Sequence, residues 1–185
     1  GIGGRRAVVV LEPDALAAMD CLSATDQQTR VDLLSYAVQT FAGLGGTLVY
    51  LDAGNPRWHT ASDMANRLSR AGVANATGFS LNVSNFLLDG DNIAYGQSIS
   101  SLIGGKHFII DSGRNGLGPT ADFQWCNPDG RALGTRPTVQ TGNPLVDAFV
   151  WIKNPGESDG ACNGAPAAGS WMPDYALGLA ERAAY

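Results

Sequence analysis

The chain alternates between short apolar runs and segments in which apolar residues recur at helical spacing. The first run, residues 7–11, has the sequence AVVVL, an uninterrupted stretch that is typical of a strand buried on both faces. Four later runs are also interpreted as strands, at residues 47–51, 79–83, 107–110 and 149–153. Strands separated by helices are usually joined in parallel, so the alternation predicts an α/β fold with about five βα units in a sheet or barrel.

The segments between these runs predict four helices and one long connection. The helices are expected at residues 25–42, 59–71, 93–103 and 173–184. Thr25 is a suitable N-cap for the first helix, and Gly43 and Gly72 suit the ends of the first two. Residues 112–146 show neither periodicity and are expected to be irregular. A chain of 185 residues without a linker is expected to form a single domain over residues 1–185.

Charge and composition argue against several classes of partner. The net charge is −5 and no run of Lys or Arg occurs, whereas nucleic acids and anionic membranes require clustered basic residues. No apolar run approaches the roughly 20 residues that span a bilayer. The two histidines lie in different segments and no CxxC occurs, so neither a metal site nor a cofactor is expected. The chain contains no Gly-rich turn followed by Lys and Ser or Thr, so the sequence gives no support to a phosphate-handling enzyme.

The three cysteines of the chain predict one disulfide bond and leave one residue over. Cys126 and Cys162 are expected to pair, and the loop of about 36 residues that they close would add roughly 3–4 kcal/mol by restricting the unfolded chain. Cys21 then remains as a buried thiol or as half of a second bridge. Because disulfides persist mainly outside the cytosol, this pattern favours an extracellular protein.

Polar and acidic residues cluster directly after the predicted strands. They are Glu12, Asp14, Asp52, Asn82, Asn85, Asp111 and residues 153–159. In parallel βα proteins the carboxyl ends of the strands meet at one edge of the sheet, where active sites lie. The arrangement therefore predicts an active site formed by these loops, although individual residues of this kind often cap helices instead.

Two of these carboxyl groups suit the hydrolysis of glycosidic bonds, which uses a pair of carboxyl groups on either side of the bond. Asp14 directly follows a buried strand, and burial would raise the pKa of its carboxyl so that it stays protonated as the acid. Asp159 lies in the Gly-rich segment 156–160 and is the expected base. The alternatives are that Asp14 caps a short helix beginning at Ala15 and that Asp159 is an ordinary turn residue.

Aromatic and basic side chains near these loops are candidate sugar-binding groups. The tryptophans concerned are Trp58, Trp125, Trp151 and Trp171. Indole rings stack on the apolar faces of sugars, so Trp58 and Trp125, which lie in predicted loops, are expected to be sugar platforms. Trp151 lies within a predicted strand and is expected to belong to the core. Arg131 and Lys153 are candidate donors to sugar hydroxyl groups.

Six segments, in order along the chain, resemble motifs of glycoside hydrolase family 6. They are residues 10–17 (VLEPDALA), 50–54 (YLDAG), 78–86 (GFSLNVSNF), 111–116 (DSGRNG), 125–128 (WCNP) and 151–160 (WIKNPGESDG). The resemblance covers nearly the whole chain and implies a distorted, incomplete parallel (β/α) barrel. It also implies inverting hydrolysis of β-1,4-glucosidic bonds in cellulose or related β-glucans, without a cofactor. The expected ligands are β-1,4-glucan chains and cello-oligosaccharides.

The resemblance further implies roles for individual residues. Asp14 matches the catalytic acid of the family, and Asp159 matches its debated base. The residues assigned to substrate binding are Asp52, Asn55, Trp58, Asn82, Trp125, Arg131, Lys153 and Glu157. Among them, Trp58 falls on the product side of the scissile bond and Trp125 on the other side. Asn55 is also on the product side, where many members have His.

The family pattern also bears on the extent of the chain and on its mode of action. The family begins with two further strands, so the chain is expected to be the carboxyl-terminal part of a larger domain that would not act alone. That preceding part would carry a Cys bridging to Cys21 and an Asp that raises the pKa of the acid. Only residues 160–170 separate Asp159 from Trp171, and so short a loop favours an open cleft and an endoglucanase. An exo-acting cellobiohydrolase and a non-catalytic carbohydrate-binding protein remain alternatives, and the protein is expected to be secreted and monomeric.

Overall fold

The computed structural model describes residues 2–184, in which helices separate the first four of five β-strands and a long irregular segment precedes the fifth. The strands are β1 (Ala7–Leu11), β2 (Thr47–Asp52), β3 (Gly78–Leu81), β4 (His107–Asp111) and β5 (Val146–Val150). The α-helices are α1 (Ala24–Ala42), α2 (Ala61–Arg70), α3 (Asp89–Leu102) and α4 (Pro173–Glu181), with short 3₁₀ helices at Ala17–Cys21 and Val73–Asn75. No helix within residues 2–184 combines the length and the apolarity that crossing a bilayer requires.

The five strands form one sheet in which every neighbouring pair is parallel. Their order across the sheet is β1-β2-β3-β4-β5, the same as their order in the sequence. The sheet curls into a half-barrel, so the loops after the strands converge on one side. The predicted α/β fold with a parallel, incomplete barrel is therefore confirmed.

The core lies between the sheet and the helices that pack on it. Leu51, Phe79 and Phe108 are fully buried in the three central strands, and the two phenylalanine rings stack with their centroids 5.1 Å apart. A methyl group at Gly96 would overlap the ring of Phe108, so α3 approaches β4 more closely than any other residue would allow. This tight packing fixes the position of β4, whose carboxyl end carries Asp111.

A second contact between strands is made by Asp147, near the start of β5. Its carboxylate accepts a hydrogen bond from the Tyr50 hydroxyl at 2.8 Å and lies 2.8 Å from Nδ1 of His107. Burial and the neighbouring Asp147 raise the pKa of Tyr50 above its ordinary value. Asp147 thus connects β2, β4 and β5 through side chains, away from the loops that follow the strands.

The fifth strand ends earlier than the sequence predicted. It was expected at residues 149–153, but it spans Val146–Val150, and Val150 pairs with Asp111 at the end of β4. Beyond it, the Trp151 indole donates a hydrogen bond to the carbonyl of Thr135 at 3.0 Å, and the Lys153 amide donates to the Asp111 carboxylate at 3.1 Å. The apolar run is longer than the strand because its last residues belong to the loop that follows. The expectation that Trp151 lies within a strand is therefore wrong.

Several helix ends also differ from the sequence-based expectation. Ser23, rather than Thr25, is the N-cap of α1. Thr60 caps α2, which therefore begins two residues later than expected. The α3 helix begins at Asp89 rather than at residue 93, because its first turn is polar and carries acidic side chains that suit a helix N-terminus but show no apolar periodicity. The α4 helix ends at Glu181 rather than at residue 184.

Candidate active site

The loops that follow the five strands surround one cleft of about 620 Å³. Its walls include residues from every one of these loops within the described part of the chain. They are Asp14 after β1, Asn55 and Trp58 after β2, Ser84 and Asn85 after β3, Pro119, Phe123 and Trp125 after β4, and Lys153 and Asp159 after β5. The predicted position of the site, at the carboxyl ends of parallel strands, agrees with this cleft.

Asp14 lies in a tight turn directly after β1. Both Glu12 and Asp14 have positive φ, at 49° and 70°, a left-handed conformation that is uncommon for residues other than glycine. The Asp14 amide donates a hydrogen bond to Oδ2 of Asp52 at 2.9 Å, which holds the turn. Although Asp14 is exposed at the wall of the cleft, partial desolvation raises the pKa of its carboxyl above the ordinary value.

Asp14 does not cap the short helix that follows it. The 3₁₀ helix Ala17–Cys21 begins after Leu16, and no side-chain hydrogen bond caps it. In residues 2–184 the Asp14 carboxyl has no hydrogen-bond partner, so it stays available to a ligand in the cleft. The alternative interpretation of Asp14 as an N-cap is therefore wrong.

Asp52 supports the Asp14 turn from behind the cleft. Its carboxyl is buried and accepts hydrogen bonds from the amides of Asp14 and Gly54, at 2.9 and 3.1 Å, and from the Ser80 hydroxyl at 3.2 Å. Burial raises the pKa of Asp52 to about 7, although the two amide hydrogen bonds oppose this shift. The structure thus places Asp52 beneath the cleft wall, not on the surface of the cleft.

Asp159 lies in the cleft wall and is paired with a buried arginine. Nη1 of Arg114 lies 2.8 Å from Oδ2 of Asp159, and Nη2 lies 2.9 Å from Oδ1, a bidentate ion pair. The two side chains are only 1% and 6% exposed. The amide of Asn127 donates to Oδ2 at 3.0 Å, and Nζ of Lys153 lies 3.6 Å from Oδ1. Asp159 is therefore held by three groups, the Arg114 guanidinium, the Asn127 amide and the Lys153 ammonium, and is not an ordinary turn residue.

The other predicted binding residues of the loops after β2 and β5 differ in position. Asn55 is mostly buried, lines the cleft, and accepts a hydrogen bond from the Arg57 amide at 3.0 Å. Lys153 lines the cleft, and its Nζ donates to the carbonyl of Ser158 at 3.1 Å. Glu157 is partly buried beside the cleft, where its carboxylate accepts a hydrogen bond from the Asn154 amide group at 2.6 Å.

Two exposed indoles stand on the walls of the cleft. Trp58 is 43% exposed and Trp125 is 63% exposed, and both line the cleft. Trp151 is partly buried, and its indole N–H donates a hydrogen bond to the backbone carbonyl of Thr135. Trp171 is exposed outside the cleft and packs over Gly156. Large indoles that remain in solvent at a concave site are suited to binding apolar ligand faces.

Besides Asp52 and Glu157, two further predicted residues, Asn82 and Arg131, do not line the cleft. Asn82 is fully buried, and its side-chain amide donates to the carbonyls of Leu87 and Asp111 at 3.3 and 2.8 Å. Arg131 donates to the carbonyl of Gly118 at 2.9 Å and to that of Pro119 at 3.1 Å. Both side chains fix the backbone of loops that form the cleft walls.

The disulfide bond joins the two loops that carry Trp125 and Asp159. Cys126 and Cys162 are bonded, so the predicted disulfide is confirmed. Cys21 is a free, exposed thiol in this structure, which contradicts the alternative that it is a buried thiol. The bridge limits how far the Trp125 loop can move from Asp159.

One contact at the cleft was not apparent in the sequence. The guanidinium of Arg57 lies 3.5 Å from the centre of the Phe123 ring and so joins the loops after β2 and β4. Phe123 has a φ of 56°, a strained conformation for an aromatic residue. Neither residue belongs to a motif, so only the three-dimensional structure reveals the contact. Among residues 2–184, no group of His, Cys, Asp and Glu side chains is placed to hold a metal ion.

Comparison with known families agrees with the half-barrel fold of parallel strands. The model of the family described as glycosyl hydrolases family 6 matches residues 1–183. The chain therefore belongs to glycosyl hydrolase family 6.

The chain is similar to family members from bacteria and fungi. Endoglucanase A of Cellulomonas fimi is 49% identical over 177 residues, which cover 95% of this chain and 38% of that protein. The 1,4-β-D-glucan cellobiohydrolase C of Emericella nidulans is 32% identical over 230 residues, 95% of this chain and 50% of that protein. The solved structure of the endoglucanase Cel6 from Mycobacterium tuberculosis, in complex with methyl-cellobiosyl-4-deoxy-4-thio-β-D-cellobioside, superposes with a TM-score of 0.95 at 50% identity. That match covers 97% of this chain and 62% of the Mycobacterium chain, so the chain spans only part of the length of these relatives.

Proposed function

We propose that the protein carrying this chain hydrolyses internal β-1,4-glucosidic bonds in cellulose or related β-glucans, as an inverting endoglucanase. The observation that carries the proposal is that Asp14 and Asp159 line the same cleft as the exposed indoles of Trp58 and Trp125. Such a cleft offers flat aromatic surfaces together with two carboxyl groups, which suits a linear chain of sugars. Residues 1–185 would then form a single catalytic domain, or part of one.

In the proposed mechanism, Asp14 is the general acid. Desolvation of its carboxyl favours the protonated form, which can donate its proton to the leaving glycosidic oxygen. Water attacks the anomeric carbon from the opposite face, and Asp159, directly or through water, accepts the proton. Lys153 and Asn55 would donate hydrogen bonds to sugar hydroxyl groups near the reacting bond, since both line the cleft.

An endo mode of action is supported by the openness of the cleft. The segment 160–170 between Asp159 and Trp171 is short and closed by local hydrogen bonds, such as that from the Gly169 amide to the carbonyl of Ser158 at 2.9 Å. Both platform tryptophans remain exposed, so a glucan chain can reach the cleft from the side. Endoglucanases among the compared relatives also share more of their sequence with this chain than the cellobiohydrolase does.

We propose further that the protein is secreted and acts as a monomer on polysaccharide rather than on nucleic acid or membranes. The Cys126–Cys162 disulfide supports an oxidising compartment. The net charge of −5 opposes binding to phosphate-rich polymers. The loops after all five strands of one chain line the cleft.

Hydrolysis of soluble carboxymethylcellulose by the protein in its full natural length tests the endoglucanase proposal. Internal cleavage shortens chains quickly, so we expect the viscosity to fall steeply while few reducing ends have appeared. Steady release of reducing ends with nearly constant viscosity would instead identify an exo-acting enzyme. Binding of cello-oligosaccharides without any release of reducing ends would identify a non-catalytic carbohydrate-binding protein.

A further inference from the structure

We propose that Asp111, at the carboxyl end of β4, is a positioning residue that holds Asp159 and Lys153 in place for hydrolysis. The inference rests on the function proposed above and assigns a role to a carboxylate that does not itself reach the cleft. Asp111 is 2% exposed and is not among the residues that line the cleft. It acts on the site only through the loops to which it is bonded.

The Asp111 carboxylate joins the loops that follow three adjacent strands. Its Oδ1 accepts a hydrogen bond from the Gly113 amide at 3.0 Å, in its own loop. Its Oδ2 accepts hydrogen bonds from the amides of Ser84, after β3, and Lys153, after β5, both at 3.1 Å. Burial raises the pKa of this carboxyl, and the three amide hydrogen bonds oppose that shift. Three amide hydrogen bonds to one buried carboxylate hold the three loops strongly and in a specific geometry.

The first route from Asp111 to Asp159 passes through Ser84 and Arg114. Ser84 has a φ of 57°, a strained conformation that the hydrogen bond from its amide to Asp111 helps to maintain. In that conformation the Ser84 carbonyl accepts a hydrogen bond from Nη2 of Arg114 at 2.6 Å. The same guanidinium forms the bidentate pair with Asp159. Asp111 therefore determines where Arg114, and with it Asp159, can lie.

The second route passes through Lys153. Its amide is bonded to Asp111, while its Nζ lies 3.6 Å from Oδ1 of Asp159 and donates to the carbonyl of Ser158. The two cationic side chains next to Asp159 therefore come from two loops that one carboxylate connects. No other carboxylate within residues 2–184 accepts hydrogen bonds from backbone amides of both the loop after β4 and the loop after β5.

Replacing Asp111 with Asn tests this role. The substitution keeps the size of the side chain but turns one acceptor oxygen into a donor facing amide N–H groups, so at least one of the three hydrogen bonds is lost. Displacement of a reacting group by about 1 Å can cost about 100-fold in rate. We expect kcat on cello-oligosaccharides to fall by about 10- to 100-fold, with KM within about 3-fold, because Asp111 does not contact the tryptophan platforms.

The matched control is Asp147→Asn. Like Asp111, Asp147 lies in a strand and its carboxylate is hydrogen-bonded, in this case to the side chains of Tyr50 and His107. It lies away from the cleft loops. We expect this variant to lose thermal stability and to keep kcat within about 2-fold of the wild-type value, when all proteins are assayed well below their melting temperatures. A folded Asp111→Asn protein that retains the kcat of the Asp147→Asn control would overturn the proposed role of Asp111. It would leave the proposed function of the protein untouched.

Gly113→Ala provides a second test should Asp111→Asn fail to fold. The added methyl would lie 3.2 Å from Oδ1 of Asp111 and 3.3 Å from the carbonyl oxygen of Lys153. It would therefore displace the contact between Asp111 and the Lys153 loop while the negative charge of Asp111 remains. We expect it to lower kcat by about 3- to 10-fold, a partial version of the same displacement. Unchanged kcat in a folded Gly113→Ala protein would count against the proposal. Absence of turnover in the wild-type protein would overturn the proposed function itself, and the role of Asp111 with it.

Discussion

Replacement of Asp14 with Asn is expected to reduce the turnover of cello-oligosaccharides by about 10²- to 10⁴-fold, the usual contribution of a general acid. The amide cannot protonate the leaving oxygen, whereas the backbone hydrogen bond from residue 14 to Asp52 is unaffected by the change. Binding should survive, because Trp58 and Trp125, the proposed sugar platforms, are intact. Steady-state kinetics on cellotetraose, together with calorimetric measurement of its binding, would measure both quantities.

The control for this experiment is Glu12→Gln. Glu12 is an exposed carboxylate in the same turn and does not line the cleft, so its replacement should leave turnover nearly unchanged. For the wild-type protein, activity should fall with rising pH as Asp14 loses its proton. The pH at which half of the activity is lost should lie above 3.8, the ordinary pKa of an aspartate, because desolvation raises the pKa of Asp14. Equal turnover by the wild-type and Asp14→Asn proteins would show that Asp14 is not the acid.

Replacement of Arg114 with Met is expected to lower the free energy of unfolding by about 3–5 kcal/mol, the range observed when one partner of a buried ion pair is removed. Arg114 is 1% exposed and forms two hydrogen bonds to Asp159, which is itself 6% exposed. Its loss leaves a buried carboxylate with only the more distant Nζ of Lys153, at 3.6 Å, as a cationic neighbour. The hydrogen bond to the Ser84 carbonyl and the contact of the guanidinium with the Phe86 ring are lost as well. Urea denaturation followed by circular dichroism would measure the change.

A surface arginine provides the comparison for this substitution. Arg70 donates one hydrogen bond to Gln28 at 3.2 Å in an exposed position, so Arg70→Met should change the free energy of unfolding by less than about 0.5 kcal/mol. Combining Arg114→Met with Asp159→Leu should recover part of the loss, because the unpaired charge is then removed too. If Arg114→Met destabilised the protein by no more than Arg70→Met, the buried ion pair would not be a structural element of the cleft.

The sequence predicted the arrangement of the fold better than the ends of its elements. The strands were found because their apolar runs are short and uninterrupted, and the parallel pairing of the first four follows from the helices between them. The start of α3 was missed because its first turn, from Asp89, is polar. The fifth strand was placed too late because Trp151 and Ile152 continue the apolar run beyond the last pairing of Val150.

The sequence predicted which loops form the site, but not the direction in which each side chain points. Asp14, Trp58, Trp125 and Asp159 follow strands and line the cleft, as their positions in the chain suggested. Asn82 also follows a strand, yet its side chain turns inward to hydrogen-bond backbone carbonyls. Such choices depend on partners that are distant in the chain, and no local pattern records those partners.

The stereochemistry of the product tests the proposed mechanism most directly. The protein in its full natural length would be mixed with cellohexaose, and the anomeric protons of the products followed by NMR before mutarotation equilibrates them. Direct attack of water opposite the bond that Asp14 protonates predicts that the new reducing ends appear first as the α-anomer. First appearance of the β-anomer would require a glycosyl-enzyme intermediate and would contradict the roles assigned to Asp14 and Asp159.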